Sequence, residues 1–207
     1  MQWMKFLSIN KSKYYIYKLN KLDHLVVTNN NHDQNKIIII LYGITSIVKT
    51  FSNKETIPIA ILSKNNIFIS KTKDNSTYYK LIALDLTYII TFNSNIDNKN
   101  FKIQKLNTIE YYINTLEKYE NMNQIIVERQ SKTRIFQLII LICLQFGTIK
   151  KNMITIPFKL SQEYIAIMTG LSRNTVNKVV SILYKKGIIG TDKKTFNIIN
   201  IINTNLK

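Results

Sequence analysis

Apolar residues fall into two textures along the chain. Between residues 14 and 92 they form short runs: YYIYKL, HLVVT, KIIIILYGITSIVKTF, TIPIAIL, NIFIS and YYKLIALDLTYIITF. Polar breaks separate them, among them TNNNHDQN, SNKE, SKNN and KTKDNS. β-Branched and aromatic residues suit a pleated, half-buried surface, so these runs are predicted strands. Ile57, Ile59 and Ile61 alternate and share one face of their strand. The run IIII at 37–40 fits a buried helix or strand by period, and its β-branched content favours a strand. Short strands with turn signals between them predict an antiparallel barrel or sandwich.

After a polar link at 93–102 the period changes. Leu106, Ile109, Ile113, Leu116, Tyr119, Met122 and Ile126 recur at steps of three and four, which predicts a long helix over 106–129. Such a stripe either packs on its own barrel or forms a two-helix dimer seam. Glu120 and Asn123 interrupt it. A second helix is predicted over 134–146, closed by Gly147, followed by a short strand ITIPFKL. Then come helix, turn, helix and a hairpin in the tail. The pattern predicts an α+β chain in three parts: a strand-rich domain over 1–104, a long connecting helix over 105–130 and a helix-turn-helix domain over 131–207.

Composition changes this picture only in part. The 207 residues are 45% hydrophobic and carry a formal charge of +17, which points to a polyanionic partner. Yet Lys, Asn, Ile and Tyr abound while Gly, Pro, Ala and Arg are scarce, as an AT-biased genome would produce for any protein. The location of charge must therefore carry the argument. Cys143 is the only cysteine, so neither an intrachain disulfide nor a cysteine-based zinc site can form. It lies in the apolar run FQLIILICLQF and is expected to be a buried, inert thiol. His24 and His32 have no acidic cluster nearby, and no metal site is expected. The longest apolar run, 135–146, is too short to span a bilayer. The start MQWMKFLSINKSK lacks the apolar core and cleavage site of a signal peptide, and does not read as a transit peptide. No nucleophile elbow, P-loop, metal quartet or paired-acid cleft is legible, so an enzyme is not expected. All five glycines (Gly43, Gly147, Gly170, Gly187 and Gly190) stand at punctuation points, where an unusual backbone is expected.

The chemistry concentrates in LSRNTVNKVVSIL. Ser161 caps a short helix that Gly170 ends, and Ser172 caps the next. Val176, Val179, Val180 and Leu183 form the buried face of this second helix, leaving Arg173, Asn174, Asn177 and Lys178 on the other. Gly187 ends it as the residue after its cap. Two short helices across a three- to four-residue turn make a helix-turn-helix, whose second helix meets base edges in the major groove. Arg173 is one of three arginines in a lysine-rich chain, beside Arg129 and Arg134. Its rigid planar fork can grip guanine O6 and N7 together, whereas lysine, a mobile point charge, reads bases less sharply. Against this stands the plainer reading, that Arg173 merely begins an amphipathic helix.

The stretch LSQEYIAIMTGLSRNTVNKVVSILYKKGIIGTDKKTFNI resembles the DNA-binding domain of the Crp/Fnr family of transcription regulators. Upstream, CLQFGTIKKNMITIPFKLSQEYIA resembles the NtcA-like branch, nitrogen-control regulators with a plastid-encoded relative in red algae. The resemblance implies a cupin-like effector β-roll, a dimerisation helix and a C-terminal winged helix-turn-helix. It implies Arg173, Asn174 and Lys178 as base or groove contacts, with Asn177 on the same face. It implies Ser161, Gln162, Ser172 and Thr175 as phosphate contacts, and a wing near Asp192 and Lys193. A homodimer on a palindromic operator, double-stranded DNA and RNA polymerase as partners, and an activating role follow from it. So does a location in the plastid stroma, or the bacterial cytoplasm if the chain is bacterial. Effector control is less complete. The NtcA-like branch implies 2-oxoglutarate, but Thr115 stands where the branch has an arginine, and Glu120 is the remaining effector candidate. The stretch ISKTKDNST has no arginine to hold a cyclic nucleotide. The alternative reading is a basic, architectural nucleic-acid-binding protein of low specificity, which would not need Arg173.

Overall fold

The computed structural model describes residues 13–28, 35–70, 76–94, 108–150, 153–192 and 195–198. The chain divides into two compact units, residues 1–120 and 121–207.

The first unit is built from eight strands: β1 (Tyr14–Leu19), β2 (His24–Val27), β3 (Asn35–Tyr42), β4 (Ile44–Phe51), β5 (Thr56–Ser63), β6 (Ile67–Ser70), β7 (Thr77–Ala83) and β8 (Thr87–Ser94). They form two antiparallel four-stranded sheets, ordered β1-β8-β3-β6 and β2-β7-β4-β5. That order is a jelly roll, in which two sheets share one core. The long runs at 36–51 and 78–92 are each split into two strands, the first at Gly43, one of the expected punctuation points. Gly43 makes the first break: a Cβ there would strike the Leu86 carbonyl and Thr87. Asp85 makes the second, its carboxylate accepting from the Leu86 amide at 2.9 Å. Asparagine side chains close two of the predicted polar breaks: Asn53 in an Asx turn, accepting from Glu55 N, and Asn66 by accepting from Ser63 N, three residues back.

The isoleucine run explains why its period was ambiguous. Ile38 and Ile40 point between the sheets, with Ile47, Leu62, Leu81 and Ile89. Ile37 and Ile39 point the other way, into a second cluster with Ile67, Ile90 and Phe92. A strand buried on both faces shows no alternation, and each buried isoleucine is worth about 1.5–3 kcal/mol. In β5 a bulge opposite Ile47 and Val48 shifts the register. Ala60 and Leu62 enter the inner core, while Ile57 stays exposed. The three isoleucines expected on one face therefore differ: Ile57 is exposed, Ile59 packs half-buried against the inner core and Ile61 is buried.

Helix α1 (Thr108–Val127) ends two residues before the predicted 129, and its expected start at 106 lies outside the described residues. At 1.5 Å per residue its 20 residues extend about 30 Å. The single apolar stripe of the sequence divides into two faces. Tyr111, Thr115 and Tyr119 turn inward, Tyr111 against the second cluster and Tyr119 against the inner core. Thr115 Oγ1 accepts from the Ile67 amide at 3.0 Å and donates to the Tyr111 carbonyl at 2.8 Å. Tyr112, Ile113 and Leu116 turn outward and are exposed.

The second unit holds α2 (Ser131–Phe146), β9 (Thr148–Lys150), β10 (Met153–Thr155), α3 (Gln162–Thr169), α4 (Arg173–Lys185), β11 (Ile189–Asp192) and β12 (Thr195–Ile198). Its strands form one antiparallel sheet, ordered β11-β12-β10-β9. The predicted strand ITIPFKL keeps only its first two residues in β10, because Pro157 has no amide for the ladder. The predicted hairpin of the tail is β11 with β12, and it gains two partners the sequence pattern did not reveal. Gly147 caps α2 with an ordinary φ of −71°, so the expectation of unusual backbone fails there. Its need for glycine is steric: a Cβ would collide with the Cys143 carbonyl and Ile154 Cγ2.

Candidate nucleic-acid interface

The helix-turn-helix is set by four local devices. Ser161 stands in extended backbone and its hydroxyl accepts from Tyr164 N at 3.1 Å, which starts α3. Gly170 ends α3 in the left-handed region, φ 64°, and Leu171 N closes on the Ala166 carbonyl at 3.1 Å. Ser172 then caps α4, accepting from Thr175 N at 3.2 Å. At the far end Gly187 (φ 65°) donates to Tyr184 O, and Ile188 to Leu183 O. This is a Schellman ending, with Ile188 and Leu183 both buried beside it.

Burial fixes which face of α4 is free. Val176, Val179 and Leu183 are buried and Val180 is half-buried. Arg173, Asn174 and Lys178 are exposed together. Asn177, expected beside them, is half-buried, and its Oδ1 is buried without a hydrogen-bond partner. The first turn of α4 holds no acidic residue, so nothing offsets the positive end of its dipole.

The residues expected on phosphate serve local structure as well. Ser161 and Ser172 are the two caps just described. Thr175 is half-buried, its hydroxyl 2.9 Å from Ser172 Oγ. Gln162 is half-buried in the first turn of α3. Lys193 lies outside the described residues, as does the side chain of Asp192. Glu120, the effector candidate, is exposed on α1. Residues 131–207 carry twelve of the chain's 29 basic residues and only two of its twelve acidic ones, Glu163 and Asp192. Positive charge thus concentrates in the unit that presents α4.

Sequence reasoning missed a second arginine. Arg134, on α2, donates from Nε to the Glu128 carbonyl at 2.8 Å and from Nη1 to the Thr169 carbonyl at 3.0 Å. Nη2 also reaches the Glu128 carbonyl. The only available signal was that an arginine had survived in a lysine-rich chain.

Cys143 is buried, and burial pushes its thiol up to about 12. Among the described residues no group of three or more His, Cys, Asp or Glu could hold a metal ion. Nor is any helix among them long and apolar enough to cross a membrane.

Residues 133–203 match the Crp-like helix-turn-helix domain. The chain is 23% identical over 199 residues to a protein of Porphyra purpurea named as an HTH-type transcriptional regulator, ycf28, covering 93% of this chain and 81% of that one. It is 21% identical over 178 residues to the global nitrogen regulator of Synechococcus elongatus, covering 80% and 78%. The fold is similar to that of a CooA mutant from Carboxydothermus hydrogenoformans, with a TM-score of 0.69 at 18% identity over 95% of this chain and 92% of that one. With a jelly roll, a long helix and a matched Crp-like helix-turn-helix domain in one chain, this protein is similar to the Crp/Fnr transcription regulators, the nitrogen regulator among them.

Proposed function

We propose that this DNA-binding transcription regulator works as a homodimer on a palindromic operator and activates transcription by contact with RNA polymerase. The observation that carries the reading is the free face of α4, where Arg173, Asn174 and Lys178 stand exposed together at the start of a capped helix. Arg173 reads guanine through its fork, and Asn174 and Lys178 contact the adjoining base or groove edges. Ser161, Gln162, Ser172, Thr175 and Lys193 hold phosphates, which fix register without reading sequence. Tyr112, Ile113 and Leu116 are an apolar face that a second copy would cover. Such a dimer places half-sites about one helical turn apart, roughly 34 Å.

The names of the relatives support the transcriptional role, and that of the Synechococcus protein favours nitrogen control. Effector binding has weaker support. Thr115 is buried and its hydroxyl is committed to Ile67 and Tyr111, so it offers nothing to 2-oxoglutarate. Glu120 is left as the effector candidate. The compartment this reading assigns is the plastid stroma, or the cytoplasm in a bacterium.

Selection of bound duplexes from a random library tests the proposal. An inverted repeat should emerge for the wild type, and Leu116→Glu should reduce it to a half-site by burying like charges at the seam. Enrichment of no motif, or of an unchanged repeat by the variant, would count against it.

A further inference from the structure

Two helices end beside one another without a base of their own. Neither α1 nor α3 carries a basic residue in its last turn. The last carbonyls of a helix lack intrahelical partners and carry the negative end of its dipole. Here Glu128 O, one residue past α1, and Thr169 O, the last of α3, both point at the Arg134 guanidinium. The Glu128 carboxylate is engaged elsewhere, accepting from the Gln130 amide at 2.9 Å. Arg134 thus binds backbone only, at two helix ends 41 residues apart in sequence. Thr169 is followed directly by Gly170 and the turn into α4.

We propose that Arg134 is a positioning residue that ties the recognition helix-turn-helix to the exit of the long helix. Its fork spans two carbonyls at once, which a lysine ammonium on a flexible stem cannot match. With the clamp in place, the turn into α4 is held to the chain just past the end of α1. Without it, the turn at Thr169–Gly170 swings while the core around α2 stays folded. The consequence for operator spacing rests on the dimeric reading above; the clamp itself does not.

Hydrogen exchange of the full chain, without DNA, tests the clamp. In Arg134→Lys the amides of residues 169–175 should exchange about tenfold faster, while those of 135–143 stay within about twofold of wild type. In Arg134→Ala, low-millimolar guanidinium should restore protection at 169–175 and ammonium should not. Unchanged exchange at 169–175, or an equal rise across 135–143, overturns the proposal. Operators with half-sites moved by one or two base pairs form the second arm. Wild type should discriminate against them about tenfold and Arg134→Lys less than about threefold, with single half-site affinity equal. A variant that keeps full discrimination overturns the spacing consequence. A wild type with no spacing preference removes the dimeric operator reading instead, and leaves the exchange result to decide the clamp.

Discussion

Arg173 and Arg134 are chemically identical side chains in opposite surroundings. Arg134 spends three of its five donors on the Glu128 and Thr169 carbonyls, which hold its guanidinium against the backbone. Arg173 stands exposed at the first position of α4, its fork free for a base. Cys143 shows the same dependence on surroundings. Burial alone raises its thiol from 9.0 to about 12. Burial, with Tyr79 nearby, raises the Tyr119 phenol from 10.0 to about 12. Both are acids whose folded pKa lies above the unfolded one. Their contribution is therefore complete below about pH 9 and is lost as pH rises towards 12. The urea midpoint should stay level from pH 7 to about 9 and then fall, and Cys143→Ala should remove the earliest part of that fall. A level profile to pH 11 would contradict the burial of both groups.

Elements were legible where one physical rule governed them, and less so where two competed. Caps and glycine endings gave α4 and its turn, because an orphan amide needs Ser161 or Ser172 and a left-handed residue needs Gly170 or Gly187. The eight-strand order was not legible, since no local signal says that β3 pairs with β8 and β6. The β9–β10 hairpin escaped for the same reason: three-residue strands carry too little pattern. The stripe on α1 misled because two apolar faces overlap in sequence, one buried by the jelly roll and one exposed. Glycine gives a test at this scale. Gly187→Ala meets open space and pays only left-handed strain, about 1 kcal/mol. Gly147→Ala has ordinary backbone but must displace the Cys143 carbonyl and Ile154, costing about 1–3 kcal/mol. Urea denaturation should rank Gly147→Ala as the worse; the reverse order would mean that strain outweighs contact here.

At the scale of the whole molecule, charge and fold answer different questions. The +17, though concentrated toward the C-terminal unit, suits any polyanion, so it supplies affinity without choice. In the proposed reading, choice falls to the few side chains on the free face of α4. The deciding measurement is a titration of the protein against a palindromic and a scrambled duplex over a range of salt, with Arg173→Ala and Arg173→Lys alongside. Wild type should prefer the palindrome by at least about tenfold, or ~1.4 kcal/mol. Both variants should lose that preference while their salt-sensitive background binding to the scrambled duplex persists. Equal binding of both duplexes by all three proteins would contradict a sequence-reading role for Arg173 and leave a basic protein that holds DNA by charge alone.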